Sequence, residues 1–169
     1  MSSQLLASRA IFPGSFDPLT KGHVDIAERA LKFFDEIILG VLDNSEKDAL
    51  FSVEERVALI EETFQGFKER VRVRSFSGLL VDFAKAEGVR VLVRGLRAIS
   101  DYDYEAQLAL MNRSLDNEIE TFFLMTSEKY SYVSSSLVKQ VARHGADIAR
   151  YVPPAVEEAL RSKSIDTIS

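Results

Sequence analysis

The chain has 169 residues and a formal net charge of −5; 46% of its residues are hydrophobic and 28% are charged. This composition is typical of a globular protein, and the length fits one domain, 1–169, that buries about two thirds of its unfolded surface. The absence of cysteine excludes disulfides and thiol catalysis, two histidines give no basis for a zinc site, and the acidic balance argues against a nucleic-acid partner.

Five apolar runs of strand length alternate with segments of helical period. We predict strands at 9–12, 36–42, 71–75, 89–93 and 121–125. After the first strand, Val24, Ala27, Leu31 and Phe34 recur at three- or four-residue steps, which predicts a helix with one apolar stripe against the sheet. Residues 52–55 read Ser-Val-Glu-Glu, a capping box that predicts a helix beginning near residue 53. Further helices are predicted at 80–87, 102–115 and 135–144, and after the proline pair at 153–154.

Strands that alternate with helices predict an α/β fold: a Rossmann-like, doubly wound five-stranded parallel sheet with helices on both faces. In such a sheet, ligands bind in the crevice beyond the carboxyl ends of the strands. Several polar or loop residues follow the predicted strands at that end, and we expect them to converge on one crevice: Ser15, Lys47, Leu79, Leu80, Arg94, Arg97 and Ser134 to Ser136.

No apolar stretch approaches the roughly 20 residues of a membrane span, and the first seven residues do not resemble a signal peptide. We therefore expect a cytoplasmic protein with no membrane partner. Any flexible segment is expected at the ends, about 162–169 included.

Residues 10–23 read Ala-Ile-Phe-Pro-Gly-Ser-Phe-Asp-Pro-Leu-Thr-Lys-Gly-His, a strand that runs through a glycine loop into a helix. A helix start has unpaired N–H groups and a partial positive charge, so anions bind there. Gly14 permits close backbone approach, and Ser15 and His23 can each donate to a phosphate oxygen. The pattern predicts a nucleotide phosphate site, although His23 could also be an ordinary polar residue of the first helical turn.

Other groups with phosphate-binding chemistry occur later in the chain. Arg94 and Arg97 flank Gly95 after an apolar run, and each guanidinium can bind a phosphate with paired hydrogen bonds. The three serines at 134–136 exceed what one helix cap needs. Lys47 lies in a polar stretch, where composition alone favours a solvated charge. We assign no role to His144.

Two motifs together carry a family resemblance. Gly-Ser-Phe-Asp-Pro at 14–18, followed by Thr-Lys-Gly-His at 20–23, resembles the signature of nucleotidyltransferases with a [His/Thr]-x-Gly-His motif. Arg-Gly-Leu-Arg at 94–97, Asp-Tyr-Asp-Tyr-Glu at 101–105 and Ser-Tyr-Val-Ser-Ser-Ser-Leu-Val at 131–138 extend the likeness to the phosphopantetheine adenylyltransferase family, over nearly the whole chain. The resemblance implies adenylyl transfer from ATP to 4′-phosphopantetheine, giving dephospho-coenzyme A and pyrophosphate in coenzyme A biosynthesis.

The resemblance also assigns roles to residues. It implies catalytic functions for His23, Ser15, Lys47, Arg94 and Arg97. The implied phosphopantetheine contacts are Ser15, Lys47, Leu79, Leu80 and Arg94. The implied ATP contacts are Ser15, Phe16, His23, Gly95, Leu96, Arg97, Glu105, Tyr130, Ser131, Tyr132, Val133, Ser134, Ser135 and Ser136. Alternatively, Glu105 is simply an acidic residue in the first turn of a helix, where it interacts favourably with the helix dipole without any ligand. Magnesium is expected to be bound mainly through ATP oxygens and to need few direct protein ligands, and no residue is assigned as a metal ligand.

Further implications of the resemblance are a homohexamer built as two trimers and feedback inhibition by coenzyme A. The chain departs from the family pattern at Ser15, where threonine is common, at Asp48, where a second basic residue is frequent, and at Gln140, where an acid often contacts pantetheine.

Three alternatives stay open at this point. One is an adenylyl- or cytidylyltransferase for another phosphate acceptor, such as nicotinate mononucleotide or glycerol phosphate. The second is a nucleotide-binding regulator without turnover, and the third is a doubly wound domain with no nucleotide role.

Overall fold

Five parallel strands form one sheet in a computed structural model of the chain, which describes residues 8–43, 49–97 and 99–166. The strands are β1 (Arg9–Gly14), β2 (Glu36–Leu42), β3 (Val71–Phe76), β4 (Val91–Leu96) and β5 (Glu120–Met125). Their order is β3-β2-β1-β4-β5, so β1 is central. The strands as far as β3 are added towards one edge of the sheet, and β4 and β5 are then added on the other side of β1. This confirms the predicted fold class.

The largest difference from the predicted strands is at β4. Val89 closes the helix before it by donating its N–H to the Ala84 carbonyl, and the strand begins only at Val91. At its other end the strand continues to Leu96, because the pairing with β5 runs on until Leu96 lies opposite Met125. Arg94 and Gly95 are therefore part of the strand itself.

In the described ranges, six α-helices connect or follow the strands. They are α1 (Lys21–Ala30), α2 (Val53–Thr63), α3 (Leu80–Glu87), α4 (Ile99–Leu115), α5 (Ser135–Arg143) and α6 (Pro154–Asp166). The predicted capping box of α2 is confirmed, since Ser52 and Glu55 hydrogen-bond each other's backbone N–H. Helix α1 is shorter than its apolar stripe suggests: Leu31 and Phe34 follow the helix, yet both still pack on the core. Helix α4 begins three residues before the predicted start, and α6 includes residues 162–166 of the expected tail.

The sheet is covered on both faces. One core, centred on Phe12, Leu39 and Val93, packs against α1, α2, α5 and α6. The other, smaller core contains Ile11, Ile38 and Leu92 and packs against α3, while α4 contacts α3 and β4. No helix in the described part of the chain combines the length and apolarity needed to cross a bilayer.

A buried carboxylate joins three separate parts of the fold. Asp17, in the loop after β1, accepts hydrogen bonds from the backbone N–H groups of Leu50 (3.0 Å) and Phe51 (2.9 Å) and from Lys139 Nζ on α5 (2.7 Å). Burial by itself would raise the pKa of Asp17, but the Lys139 hydrogen bond and the two backbone donors outweigh it and lower the pKa below its ordinary value. Asp17 is therefore ionised in the folded protein.

The buried side chain of Arg56 also joins separate parts of the fold, in this case by donating to backbone carbonyl groups. Arg56 donates to the carbonyl oxygens of Ser15 (2.7 Å), Leu42 (3.0 Å) and Phe51 (3.1 Å), which belong to the ends of β1 and β2 and to the start of α2. Asp17 and Arg56 thus fix the backbone on both sides of residues 44–48.

Asp17→Asn is expected to destabilise the fold by roughly 2–3 kcal/mol at pH 7, because the amide cannot accept from all three donors and leaves Lys139 without its counterion. Since folding lowers the Asp17 pKa, the stabilisation is complete above the unfolded-state pKa and is lost as the pH falls through the folded-state value. Urea denaturation of both proteins should therefore show a difference that is largest near neutral pH and shrinks in acid.

A suitable control is Glu118→Gln, which breaks the exposed Arg90–Glu118 pair and should cost less than about 1 kcal/mol. An Asp17→Asn penalty that stayed constant down to strongly acidic pH would contradict the assignment of an ionised Asp17.

Candidate active site

A cavity of about 530 Å³ opens at the carboxyl ends of β1 and β4. Its wall is formed by the loop after β1, the starts of α1 and α5, the end of β4 and the early turns of α4. The candidate residues that line it are Ser15, Phe16, His23, Arg94, Gly95, Arg97, Glu105, Val133, Ser134, Ser135 and Ser136. The structure therefore brings most of the sequence candidates together in one crevice, as the parallel sheet predicts.

The other described candidates lie outside the cavity wall. Lys47 and Asp48 fall outside the described residues. Leu96 is buried in the sheet, and Leu79 and Leu80 lie at the start of α3, after the edge strand β3. Tyr130, Ser131 and Tyr132 belong to the segment just before the cavity wall at Val133; Tyr132 is exposed and contacts the Tyr151 ring. Of the described residues, these six are not part of the cavity wall.

His23 is held by the cap of α1. The Thr20 backbone N–H donates to His23 Nδ1 at 3.0 Å, while the His23 backbone N–H donates to Thr20 Oγ1 at 3.3 Å, which completes a reciprocal capping box. Since Nδ1 accepts from an N–H, the proton of the neutral imidazole resides on Nε2. Nδ1 of His23 therefore serves the helix cap, and the Nε2–H group is left to donate to a phosphate oxygen.

The charge state of His23 follows from its surroundings. Burial, and then the positive charges of Arg97 and Arg94, lower the pKa of His23 from 6.5 to about 4. The imidazole is consequently neutral at physiological pH. It can donate one hydrogen bond from Nε2 without adding a positive charge.

Phe16 supports the ring of His23. Its own ring meets the His23 ring edge-on, with 5.2 Å between centroids, and the Phe12 ring at 5.5 Å. The Phe16 backbone has a φ of 47°, a left-handed conformation that is costly for a residue with a side chain. A Cβ at position 14 would lie 3.1 Å from the Phe16 ring, so Gly14 makes room for this packing.

Arg94 projects from β4 and is engaged by a carboxylate of α4. Its Nε and Nη2 each donate to a Glu105 oxygen at 2.6 Å, and its Nη1 donates to the Pro13 carbonyl at 3.1 Å. Arg97 has a similar but looser environment, since Nε lies 3.3 Å from Asp101 Oδ2 and Nη1 lies 3.4 Å from the Val133 carbonyl. Asp101 and Glu105 are one helical turn apart on α4, so one face of this helix serves both arginines.

These pairs determine the charge of the cavity. Its wall contains two guanidinium groups and two carboxylates, and His23 is neutral, so the formal charges of the described lining residues balance. Within the described part of the wall, anion binding therefore relies on oriented N–H and O–H donors rather than on a net positive charge.

The serine cluster has divided roles. Ser134 is the N-cap of α5, where its hydroxyl accepts from the Leu137 N–H at 3.1 Å. The Ser135 hydroxyl donates to the Pro18 carbonyl at 2.7 Å, and Ser136 lies exposed at the cavity wall. Capping explains Ser134, an inter-loop hydrogen bond explains Ser135, and Ser136 is the one whose hydroxyl has no structural task among the described contacts.

The loop that leads to this cluster is tied back to α1. Asp25 accepts from the Ser127 backbone N–H (3.2 Å) and hydroxyl (2.7 Å), and Arg29 donates to the Met125 carbonyl. The segment after β5 is thereby fixed relative to the helix that carries His23.

Sequence reasoning missed these supporting groups: Asp17, Thr20, Asp25, Arg56, Asp101, Ser127 and Lys139. Two of them had a usable signal, because Thr20 precedes His23 by the three residues of a capping box and Asp101 follows Arg97 by four. The contacts of Asp17 with residues 50, 51 and 139, of Asp25 with Ser127, and of Arg56 with Ser15 and Leu42 join distant parts of the chain and leave no local pattern.

Comparison with known proteins agrees with this geometry. Residues 11–141 match the family model described as cytidylyltransferase-like, which defines the class of the chain as a nucleotidyltransferase of that family. Two curated relatives are named phosphopantetheine adenylyltransferase. The protein of Geotalea daltonii is 55% identical over 154 residues, covering 91% of this chain and 95% of the relative; that of Alkaliphilus metalliredigens is 51% identical over 154 residues, covering 91% and 98%. The chain belongs to the phosphopantetheine adenylyltransferase family.

Solved structures share the fold at much lower identity. The Plasmodium falciparum nicotinic acid mononucleotide adenylyltransferase, complexed with NaAD, superposes with a TM-score of 0.70 at 15% identity, covering 97% of this chain and 99% of that one. At this identity the likeness concerns the fold alone.

The state of His23 can be measured by NMR on protein with ¹⁵N-labelled histidine. We expect the Nε2-protonated neutral tautomer at pH 7 and a titration midpoint near 4, because burial and the two arginines disfavour the imidazolium. Thr20→Val, which keeps the backbone N–H but removes the hydroxyl, should preserve this tautomer. A proton on Nδ1 would contradict the capping-box assignment, and a midpoint near 6.5 would contradict the effect of burial and the two arginines on the pKa of His23.

Proposed function

We propose that this cavity binds ATP and 4′-phosphopantetheine together and transfers the adenylyl group between them, releasing dephospho-coenzyme A and pyrophosphate. The observation that carries the proposal is the arrangement of His23, Arg94 and Arg97 around one crevice between β1 and β4. Family membership supports the choice of substrates, since the curated relatives carry this enzyme's name.

The reaction needs no protein nucleophile. A phosphate monoester has a second pKa near 6, so the acceptor phosphate is already a dianion at neutral pH and requires no general base. One of its oxygens attacks the α-phosphorus of ATP in line, the new P–O bond forms, and the bond to the β-phosphate oxygen breaks with pyrophosphate as the leaving group. Catalysis then depends on orientation and on stabilising charge at the α-phosphorus.

The described residues suit these tasks. His23 offers its Nε2–H to a phosphate oxygen of ATP, and Ser15 offers a hydroxyl from the adjoining loop. We propose that Arg97 binds ATP phosphates with the backbone N–H groups at the start of α5, and that Arg94 binds the acceptor phosphate. Gly95, Leu96 and residues 130–133 would line the nucleotide, Leu79 and Leu80 the pantetheine arm, and Lys47 would bridge the acceptor phosphate and the transferred group.

Magnesium would be bound mainly by ATP itself. Among the described residues no cluster of three acidic or histidine side chains can hold a metal, and the two carboxylates of the cavity are already engaged by arginines. We propose that phosphate oxygens of ATP hold the ion instead. When bound, it neutralises part of the triphosphate charge.

Three further proposals come from the family. They are a cytoplasmic location, a homohexamer of two trimers, and coenzyme A as a feedback ligand. Exposed apolar side chains on α4 support self-association: Leu110, Met111 and Leu115 are each more than half exposed in the single chain.

The proposal is tested by measuring pyrophosphate release from ATP and magnesium with three rival acceptors: 4′-phosphopantetheine, nicotinate mononucleotide and glycerol 3-phosphate. We expect turnover only with phosphopantetheine. His23→Ala should reduce kcat about a hundred- to a thousandfold, because it removes one oriented donor to the transition state.

His144→Ala is the matched control and should leave the rate unchanged, since His144 is exposed at the end of α5. Preference for another acceptor would overturn the substrate assignment. ATP binding without turnover on any acceptor would instead favour a nucleotide-binding regulator.

A further inference from the structure

The pairing of Arg94 with Glu105 goes beyond what a phosphate site requires. Both Glu105 oxygens are occupied, each at 2.6 Å from an Arg94 nitrogen, and the side chains are only 12% and 25% exposed. This bidentate contact is the tightest ion pair among the described residues that line the cavity. The Pro13 carbonyl holds the third nitrogen of the same guanidinium.

These contacts define what Arg94 can still bind. A guanidinium has five N–H groups, of which Glu105 occupies those on Nε and one on Nη2, and Pro13 occupies one on Nη1. One N–H remains on Nη1 and one on Nη2. A phosphate can therefore approach Arg94 only through these two groups, with the guanidinium plane already fixed.

Glu105 is poorly suited to contact the phosphates of the nucleotide directly. Its carboxylate oxygens accept from Arg94, and a negative charge beside an anionic triphosphate is repulsive. A fixed arginine, by contrast, loses little rotamer freedom when a phosphate binds, so it stabilises the transition state without reorganisation.

We infer that Glu105 is a positioning residue, which acts on the reaction through Arg94 by fixing the orientation of its guanidinium. The inference rests on the proposed function for its kinetic consequence, but the orientation itself is independent of the substrate.

The kinetic test compares Glu105→Gln, Arg94→Gln and the double variant with the wild type, using pyrophosphate release. In Glu105→Gln we expect kcat to fall about ten- to a hundredfold, because Arg94 loses its fixed orientation. The KM for ATP should not rise, and in the Arg94→Gln background the second substitution should cost no further activity. Glu120→Gln, which breaks the exposed Arg113–Glu120 pair outside the cavity, is the control and should leave kinetics unchanged.

Two kinetic results would overturn the inference. A raised KM for ATP with unchanged kcat would make Glu105 a direct nucleotide contact. A double variant that is slower than Arg94→Gln by the full factor of Glu105→Gln would show that Glu105 acts independently of Arg94.

A second measurement keeps the inference testable without turnover. In ¹⁵N spectra of the ligand-free protein, the Arg94 Nε–H should give a signal protected from exchange, assigned by its loss in Arg94→Lys. In Glu105→Gln this protection should disappear, whereas a signal unchanged in Glu105→Gln would contradict the positioning role. If wild-type protein turned over no acceptor, the proposed function would fail while this readout still decided the role of Glu105.

Discussion

The hydrogen bond from the Thr20 backbone to His23 Nδ1 determines what the cavity can offer a phosphate. It makes Nδ1 an acceptor and thereby leaves the imidazole proton on Nε2. The same bond closes the cap of α1, so the start of the helix and the orientation of the ring are set together. Phe16 packs against the ring and Gly14 leaves the space for it. A histidine without this cap could present either tautomer and would donate only part of the time.

The charges in the cavity are likewise arranged so that oriented donors, rather than a net positive charge, face a phosphate. Arg94 and Arg97 each have a carboxylate partner, and His23 is kept neutral by burial and by those arginines. A strongly cationic cavity would bind substrates and pyrophosphate tightly in the ground state, which lowers KM without raising kcat. Donors that are fixed in position, in a cavity of low net charge, instead stabilise the charge that develops at the α-phosphorus in the transition state.

Local patterns in the sequence account for much of this architecture. The apolar runs predict all five strands, and the glycine loop with its following helix predicts that His23 lies at the sheet's carboxyl edge. The capping box predicts the start of α2 at Val53. Such patterns work because strand periodicity and helix caps depend on residues within a few positions of one another.

Long-range pairs could not be predicted in the same way. Asp17 and Lys139 are 122 positions apart, and Arg56 binds carbonyl groups from three different segments, so only the folded chain brings the partners together. Arg94 and Glu105 are eleven positions apart, on a strand and on the following helix, a spacing with no fixed contact of its own. For that reason the sequence identified Arg94 and Glu105 as separate ligand contacts, whereas the structure shows them bound to each other.

The central claim is that the adenylyl group passes directly from ATP to the acceptor phosphate, with oriented donors and no covalent enzyme intermediate. The most direct test is the stereochemistry at the α-phosphorus, followed with ATP that carries a single sulfur there in one known configuration. Direct in-line attack predicts inversion of configuration in the dephospho-coenzyme A product. Retention would require two displacements and an adenylylated side chain, and it would contradict the account.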